Sequence, residues 1–452
     1  MLPGHPLPGW TASHSLPRRS KGKGLSMSRV SDDQSAGPVP ARHHRRRLLV
    51  MGALSTFGPL SIDLYLPALP ELARQLDASD SAAQWSISTC LIGLAAGQLF
   101  IGPLSDRIGR KRPLFVGVAT YAVVSLLCAA APSIAALNIL RLVQGLAGSA
   151  GMVIVGAMVR DMYEGQRMAR ILSLLMLVGG VAPIVAPVLG GQLLYVTDWR
   201  GIFVTLGAIS VLLLVAVTAL PETLKPELRH VGGLRRVRVG FTSVVRDRVF
   251  VGCALGSSVG GAALFIYISV SAFVLEGGYG VSAQTFSFIF GVNSVGLVLS
   301  GYVNAVLLRR LKPEPLLAGG ALVAVVASVF CLAAAVLRAP LAVFLPALFL
   351  TVATGGLASP NATALALARH SANAGTAAAL LGSSGFLLGA LLAPAASIGG
   401  ASAVAMTCGM AATRAAAWAA YRFVALPGRR RTPADDVAEP APLDVEHRRA
   451  GP

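Results

Sequence analysis

Two charged residues stand where charge is expensive. Asp63 lies inside the run Leu48 to Leu69, which holds no base, and Arg141 lies inside Leu137 to Val159. An ionisable side chain within so long an apolar run marks an ion or substrate path, because burying it costs energy that anchoring does not return. A carboxyl that gains and loses a proton near a guanidinium that never does is suited to proton coupling. Arg141 opens the stretch Arg141-Leu142-Val143-Gln144-Gly145. A third cluster runs from Gly102 through Asp106, Arg107, Gly109 and Arg110 to Lys111 and Arg112. There two glycines permit a sharp turn, and Asp106 can accept bonds from Arg110 or from a helix N-terminus. A fourth stretch, Gly179 to Gly191, combines Pro183 and Pro187 with Gly179, Gly180, Gly190 and Gly191. Those residues bend a helix and flatten one of its faces.

The elements that carry these residues are apolar spans. Of 452 residues 54% are hydrophobic and 13% charged, against about 25% charged in a soluble protein. Runs of ~18 or more apolar residues cross a ~30 Å hydrocarbon layer. Twelve are expected, near 48–69, 84–104, 113–132, 137–159, 169–195, 201–220, 249–275, 284–308, 315–337, 341–367, 374–398 and 401–421. The longest internal polar break, Pro221 to Arg248, divides them six and six. The expected fold is therefore all-α: a membrane protein of two pseudo-symmetric six-helix bundles. Its parts are a disordered basic cytoplasmic tail over 1–47, a first bundle over 48–220, a cytoplasmic linker over 221–248, a second bundle over 249–421 and a cytoplasmic tail over 422–452. The first tail is either genuine or partly a misassigned start, with Met27 as the alternative. Of 38 lysines and arginines, the outer loops hold three, Arg74, Arg200 and Arg338, so both termini are expected in the cytoplasm. On that side the 102–112 turn is expected to latch the two halves together. Trp199 and Arg200 read as an interfacial anchor, and Arg414 in span twelve as a base snorkelling to the inner face.

The net charge of +18 does not imply nucleic acid, because the bases sit in tails and loops and no aromatic-basic module accompanies them. The five cysteines, Cys90, Cys128, Cys253, Cys331 and Cys408, fall inside apolar runs without metal-ligand spacing. No disulfide framework or metal site is expected. No nucleophile-base pattern appears within the spans, so an enzyme is not expected either.

Depth along the spans links the first two residues. Span one runs outward with Asp63 six residues before Leu69, and span four runs inward with Arg141 four residues after Leu137. At ~1.5 Å per residue the two charges differ in depth by about 3 Å, and they are expected to pair directly or through water.

The loop from Gly102 to Lys111 resembles the G-x-x-x-D-R-x-G-R-K loop of the major facilitator superfamily. That resemblance implies a gating role for Gly102, Asp106, Gly109 and Arg110, with Arg107 inside the motif. The corresponding second-half loop, Gly301 to Pro313, keeps its bases but has no aspartate. Arg141, Gln144 and Gly145 resemble the superfamily's R-x-x-Q-G motif, implying proton coupling. Gly179 to Gly191 resembles the motif of drug/proton antiporters, with Ala186 where the fuller pattern has glycine. Gly58 to Pro70, Pro221-Glu222-Thr223-Leu224 and Ser359 to Ala364 resemble the bicyclomycin- and chloramphenicol-resistance branch (Bcr/CflA). Some exporters carry a second acid two turns before the aspartate; here Ser55 stands there. The implied function is proton-coupled efflux of small amphipathic drugs or toxic metabolites across a bacterial inner membrane, with the proton as coupling ion, no other cofactor and a monomeric transporter. The alternative is an uptake carrier for a sugar, osmolyte or metabolite on the same fold. Tyr65, Asn293 and Asn361 are candidate cavity residues, the two asparagines equally able to bond between helices.

Overall fold

The expected spans are present as helices, two of them broken. In the computed structural model the described residues are 41–229, 242, 244–370 and 374–429. Most of the expected N-terminal tail, the middle of the linker and most of the C-terminal tail lie outside them. Span one is a series: α1 (Ala41–Ser55), α2 (Phe57–Asp63), a 3-10 turn (Leu66–Ala68) and α3 (Leu69–Gln75). Its axis bends by 47° between Ser55 and Phe57. Pro59 has no N–H for the Ser55 carbonyl and its ring crowds that group. The Thr56 hydroxyl turns back to donate to the Ala53 carbonyl at 2.7 Å.

The rest of the first half is α4 (Asp80–Ile108), α5 (Lys111–Ala129), α6 (Ile134–Met162), α7 (Gly165–Leu193) and α8 (Trp199–Thr218). The second half is α9 (Arg248–Ala272), extended by a π turn (Phe273–Gly278), then α10 (Ala283–Leu307), α11 (Pro313–Val336), α12 (Leu341–Ala353), α13 (Gly355–Ala368), α14 (Ala374–Ala395) and α15 (Ala403–Ala420). Span ten is thus split at Thr354. Side-chain caps set many of the starts: the hydroxyls of Ser79, Ser133, Ser282 and Ser402 each accept an N–H three residues on, as N-cap serines do.

Among the described residues ten helical stretches, with the bent pair of span one as an eleventh, are long and apolar enough to cross a membrane. The twelfth, α15, is more polar because it carries Thr407, Thr413 and Arg414. Large apolar side chains such as Phe100, Leu212 and Phe330 are exposed on the outside, which suits a lipid-facing surface. Inside the first half α4 packs closely on α6, and α5 on α6 and α8. Between the halves α4 meets α14, and α7 meets α10.

One sequence expectation needs correction here. Trp199 is not an interfacial anchor. It is fully buried, meets Phe203 edge-on at 6.1 Å, and its indole N–H donates to Gln75 at 2.8 Å. Arg200 caps the end of α5, donating to the Ala129 and Ala131 carbonyls, each at 3.2 Å.

Candidate functional site: a caged arginine, an unpaired aspartate and a charged loop

The charged loop is organised around Arg110. Gly109 ends α4 with φ +96°, a conformation side-chain-bearing residues rarely adopt, and this turns Arg110 back beneath the helix. Its Nε donates to Asp161 at 2.9 Å, and its NH1 to Asp106 at 2.5 Å and Ser105 at 2.8 Å. Glu222, beyond α8, accepts the backbone N–H groups of Arg110 at 2.8 Å and Lys111 at 3.2 Å. Thr223 donates to Asp161 at 3.0 Å. Burial pushes the Glu222 carboxyl up, but the backbone N–H groups of Arg110, Leu224 and Lys111 outweigh it and hold the group below its ordinary value. Arg107 is exposed, and the nearest neighbour to a Cβ on Gly102 would be Val153 at an ordinary 3.7 Å.

Among the described residues these bonds join the loop to the end of α6 and to the first residues of the linker, and none of them reaches the second half, where a latch was expected. Asp161 and Glu222 had no assigned role in the sequence reading; the only signals were an acid at the end of span four and the Pro-Glu pair after span six. The second half, without an aspartate in its own loop, draws one from the linker. Asp247 caps α9 by accepting from Val249 N–H at 2.9 Å, and also bonds Arg369 at 3.0 Å and His370 at 3.1 Å.

Arg141 does not snorkel. It is fully buried, held in a cage built by its own helix and four others. Its Nε donates to the Ser86 carbonyl at 3.2 Å and its NH1 to Gln144 at 2.6 Å. Gln144 donates in turn to Ser125 at 2.7 Å, and Ser125 to the Tyr121 carbonyl at 2.7 Å. The hydroxyls of Tyr121 and Ser61 bond at 2.5 Å, and those of Tyr65 and Ser86 at 2.7 Å. The Tyr65 ring lies 4.6 Å from the guanidinium carbon and the Phe203 ring 5.6 Å, offering cation–π attraction where no carboxylate is present. The NH2 group has no partner. Gly145 makes the cage close: a Cβ there would stand 2.0 Å from the Cys90 carbonyl oxygen, so α6 and α4 touch backbone to backbone.

Asp63, the last residue of α2, is 4% exposed. Its carboxyl makes no ion pair or hydrogen bond with Arg141 or with another described residue. The expected pairing fails because depth alone does not set direction. On a helix of 3.6 residues per turn, Ser61 and Tyr65 share a face, while Asp63 lies about 200° from each. Ser61 and Tyr65 point into the Arg141 cage, so Asp63 points away. One ionisable side chain near enough to feel its charge is Tyr267, on α9 of the second half. The 3-10 turn that follows Asp63 packs on α9 and α10, which puts the aspartate at the seam between halves.

The α7 motif lies on the same seam. A Cβ on Gly190 would stand 1.9 Å from the Leu64 carbonyl oxygen, and one on Gly191 2.3 Å from the Ser287 hydroxyl of α10. Pro187 and Ala186 are buried, Pro183 is half-buried, and nothing lies within 4 Å of a Cβ on Gly179. Among the described residues two hydrogen bonds cross the seam, Gln284 to the Gly191 carbonyl at 3.3 Å and Ser397 to Gln84 at 2.5 Å. Both lie at the end opposite the Arg110 loop. Above them opens a hollow of about 1020 Å³ edged by Glu71, Asp80, Asp198 and Glu276. The candidate cavity residues are engaged elsewhere: Tyr65 in the cage, Asn293 donating to Tyr267 at 2.9 Å, and Asn361 donating to Asn304 at 2.7 Å.

Paired bundles of apolar helices, a charged loop at one end and an unpaired acid at the seam define a multi-pass membrane transporter. The chain belongs to the Major Facilitator Superfamily, whose sequence profile matches residues 48–394. It is 37% identical to a Bacillus subtilis protein described as an uncharacterized MFS-type transporter, over 79% of this chain and 90% of that one. It is 31% identical to a Haemophilus influenzae bicyclomycin resistance protein homolog, over 76% of this chain and 87% of the relative. Among solved structures, a D-xylose-proton symporter superposes with a TM-score of 0.66 over 84% of this chain and 98% of its own, at 17% identity. That likeness shows the fold.

Proposed function

We propose that the protein is a proton-coupled exporter of small amphipathic drugs or toxic metabolites, set in a bacterial inner membrane with both termini cytoplasmic. It works as a monomer by alternating access, and the proton is its only coupling ion. The observation that carries the reading is Asp63, a carboxyl without a partner at the seam between halves. As an ion it is costly there, and protonation removes the cost. A protonated Asp63 therefore favours the arrangement in which Gln284–Gly191 and Ser397–Gln84 hold the outer end shut. Loss of the proton to the cytoplasm leaves a charge that drug binding and reopening relieve, so proton entry drives drug exit. Arg141 stays charged throughout and keeps the cage rigid. The relative named for bicyclomycin resistance, and others named for multidrug and chloramphenicol resistance, support export over the uptake alternative.

The test uses inside-out vesicles carrying the protein, an imposed pH gradient acid inside, and bicyclomycin or chloramphenicol as probe. Export predicts accumulation in the vesicles that collapses with the gradient. Accumulation only when the gradient is reversed would support the uptake carrier instead.

A further inference from the structure

Arg414 on α15 was expected to snorkel, yet only 8% of it is exposed. It lies about 17 Å along α15 from Ala403, near the middle of a ~30 Å hydrocarbon layer. Among the described residues no hydrogen bond or ion pair holds it, and its Nε is enclosed without a partner. Arg141 differs, because the Ser86 carbonyl, Gln144 and two aromatic rings take up its charge. The spans of the second half contain two acids, Glu276 in the π turn after α9 and Glu314 in the first turn of α11, both at span ends.

The tip of Arg414 is aimed at the break in span ten: a Cβ on Gly355 would stand 2.8 Å from its NH2 and 3.3 Å from Leu297 of α10. Gly355 is the first residue of α13. The Thr354 hydroxyl donates back to the Thr351 carbonyl at 3.0 Å and does not cap the new helix. A guanidinium therefore faces the positive end of a helix dipole. Two positive poles brought together without a counter-charge are costly in a low-dielectric interior. One titratable group near enough to interact with Arg414 is Tyr421, and its hydroxyl is turned to Ser257, to which it donates at 3.4 Å. With Nε enclosed, the small exposure that remains leaves an opening fit for an ion and too narrow for an organic body.

We propose that Arg414 and the start of α13 together bind a small inorganic monoanion of the size and charge of chloride. The bound ion neutralises the guanidinium in mid-membrane and ties α15 to α13 across the break in span ten. The site stands apart from the transport reading, since it requires no drug and no proton gradient.

The test uses the purified full chain in detergent, with methanesulfonate replaced stepwise by chloride at constant ionic strength. Melting temperature and the line width of the chloride NMR signal are the two readouts. The unmodified protein is expected to melt higher as chloride rises, with saturation, and to broaden the chloride line; bromide should act likewise and sulfate should not. Arg414→Gln should weaken the apparent chloride affinity by about tenfold or more, while Arg414→Lys, which keeps the charge, retains part of the response. Arg422→Gln, which removes an exposed base further along the same chain segment, should respond as the unmodified protein does. Gly355→Ala puts a methyl group against the flexible end of Arg414, so it should fold and bind chloride more weakly; it carries the test if Arg414→Gln does not fold. No chloride response in the unmodified protein, an equal response to sulfate, or a response left undiminished by Arg414→Gln would overturn the proposal. So would a response lost equally in Arg422→Gln, or one unchanged in Gly355→Ala.

Discussion

Asp63 and Tyr65 are two positions apart in span one and face opposite ways. The Tyr65 ring lies 4.6 Å from the Arg141 guanidinium inside the first half, whereas Asp63 has no partner and lies at the seam with the second half. The fixed charge and the titratable one are thereby kept apart. Arg141 can remain charged without pinning Asp63 in its ionised form, and Asp63 can report its protonation to the opposing helices.

The cage predicts a cost for Gln144→Ala. Removing the amide leaves Arg141 NH1 buried without its partner, while the Ser125 hydroxyl keeps only the Tyr121 carbonyl, a loss of about 1–3 kcal/mol. Thermal unfolding in detergent should show the drop. An unchanged transition would mean that the network contributes nothing to holding the arginine.

Close packing makes a paired prediction about two glycines. Gly145→Ala puts a methyl group 2.0 Å from the Cys90 carbonyl oxygen, so α4 and α6 must separate; over-packing of this kind costs about 1–3 kcal/mol or more. Gly179→Ala meets nothing within 4 Å and should change stability by less than about 0.5 kcal/mol. Comparing folded yield and melting temperature of the two variants checks both, and equal effects would contradict the packing described.

Glu222 predicts a pH dependence at the charged loop. Its folded value lies below the ordinary glutamate value, so its contribution is fully present above the unfolded value of about 4.3 and is lost as pH falls through the lower folded one. The stability difference between the protein and Glu222→Gln should therefore be constant from pH 6 to 8 and shrink below about pH 4. A melting-temperature scan against pH reads it; a difference that grows on acidification would contradict the assignment.

Much of this was legible in the sequence, and what was missed has a common cause. Apolar runs and base placement mark the spans because hydrocarbon thickness and topology act on composition directly. Depth was readable too, since residue counts convert to height, and Asp63 and Arg141 are both buried within their spans. Azimuth was not: whether Asp63 faces Arg141 or turns from it depends on which face of α2 packs on α6, and the 47° bend and the 3-10 turn decide that. The same limit hid Arg414, whose guanidinium lies against Gly355 at the break in span ten, and Trp199, whose partner Gln75 lies on another span. Asp161 and Glu222 escaped because they meet Arg110 only after three loops converge. Gly145, Gly190 and Gly191 were noticed as small residues; only packing shows that the first touches Cys90 and the others Leu64 and Ser287.

The central claim is that Asp63 carries the coupling proton and Arg141 does not share it. The most direct measurement compares Asp63→Asn with the unmodified protein in proteoliposomes, reading drug exchange at equal pH and drug accumulation driven by a pH gradient. The variant should fold, exchange drug at a near-normal rate and lose gradient-driven accumulation. Undiminished gradient-driven accumulation in Asp63→Asn would contradict the account.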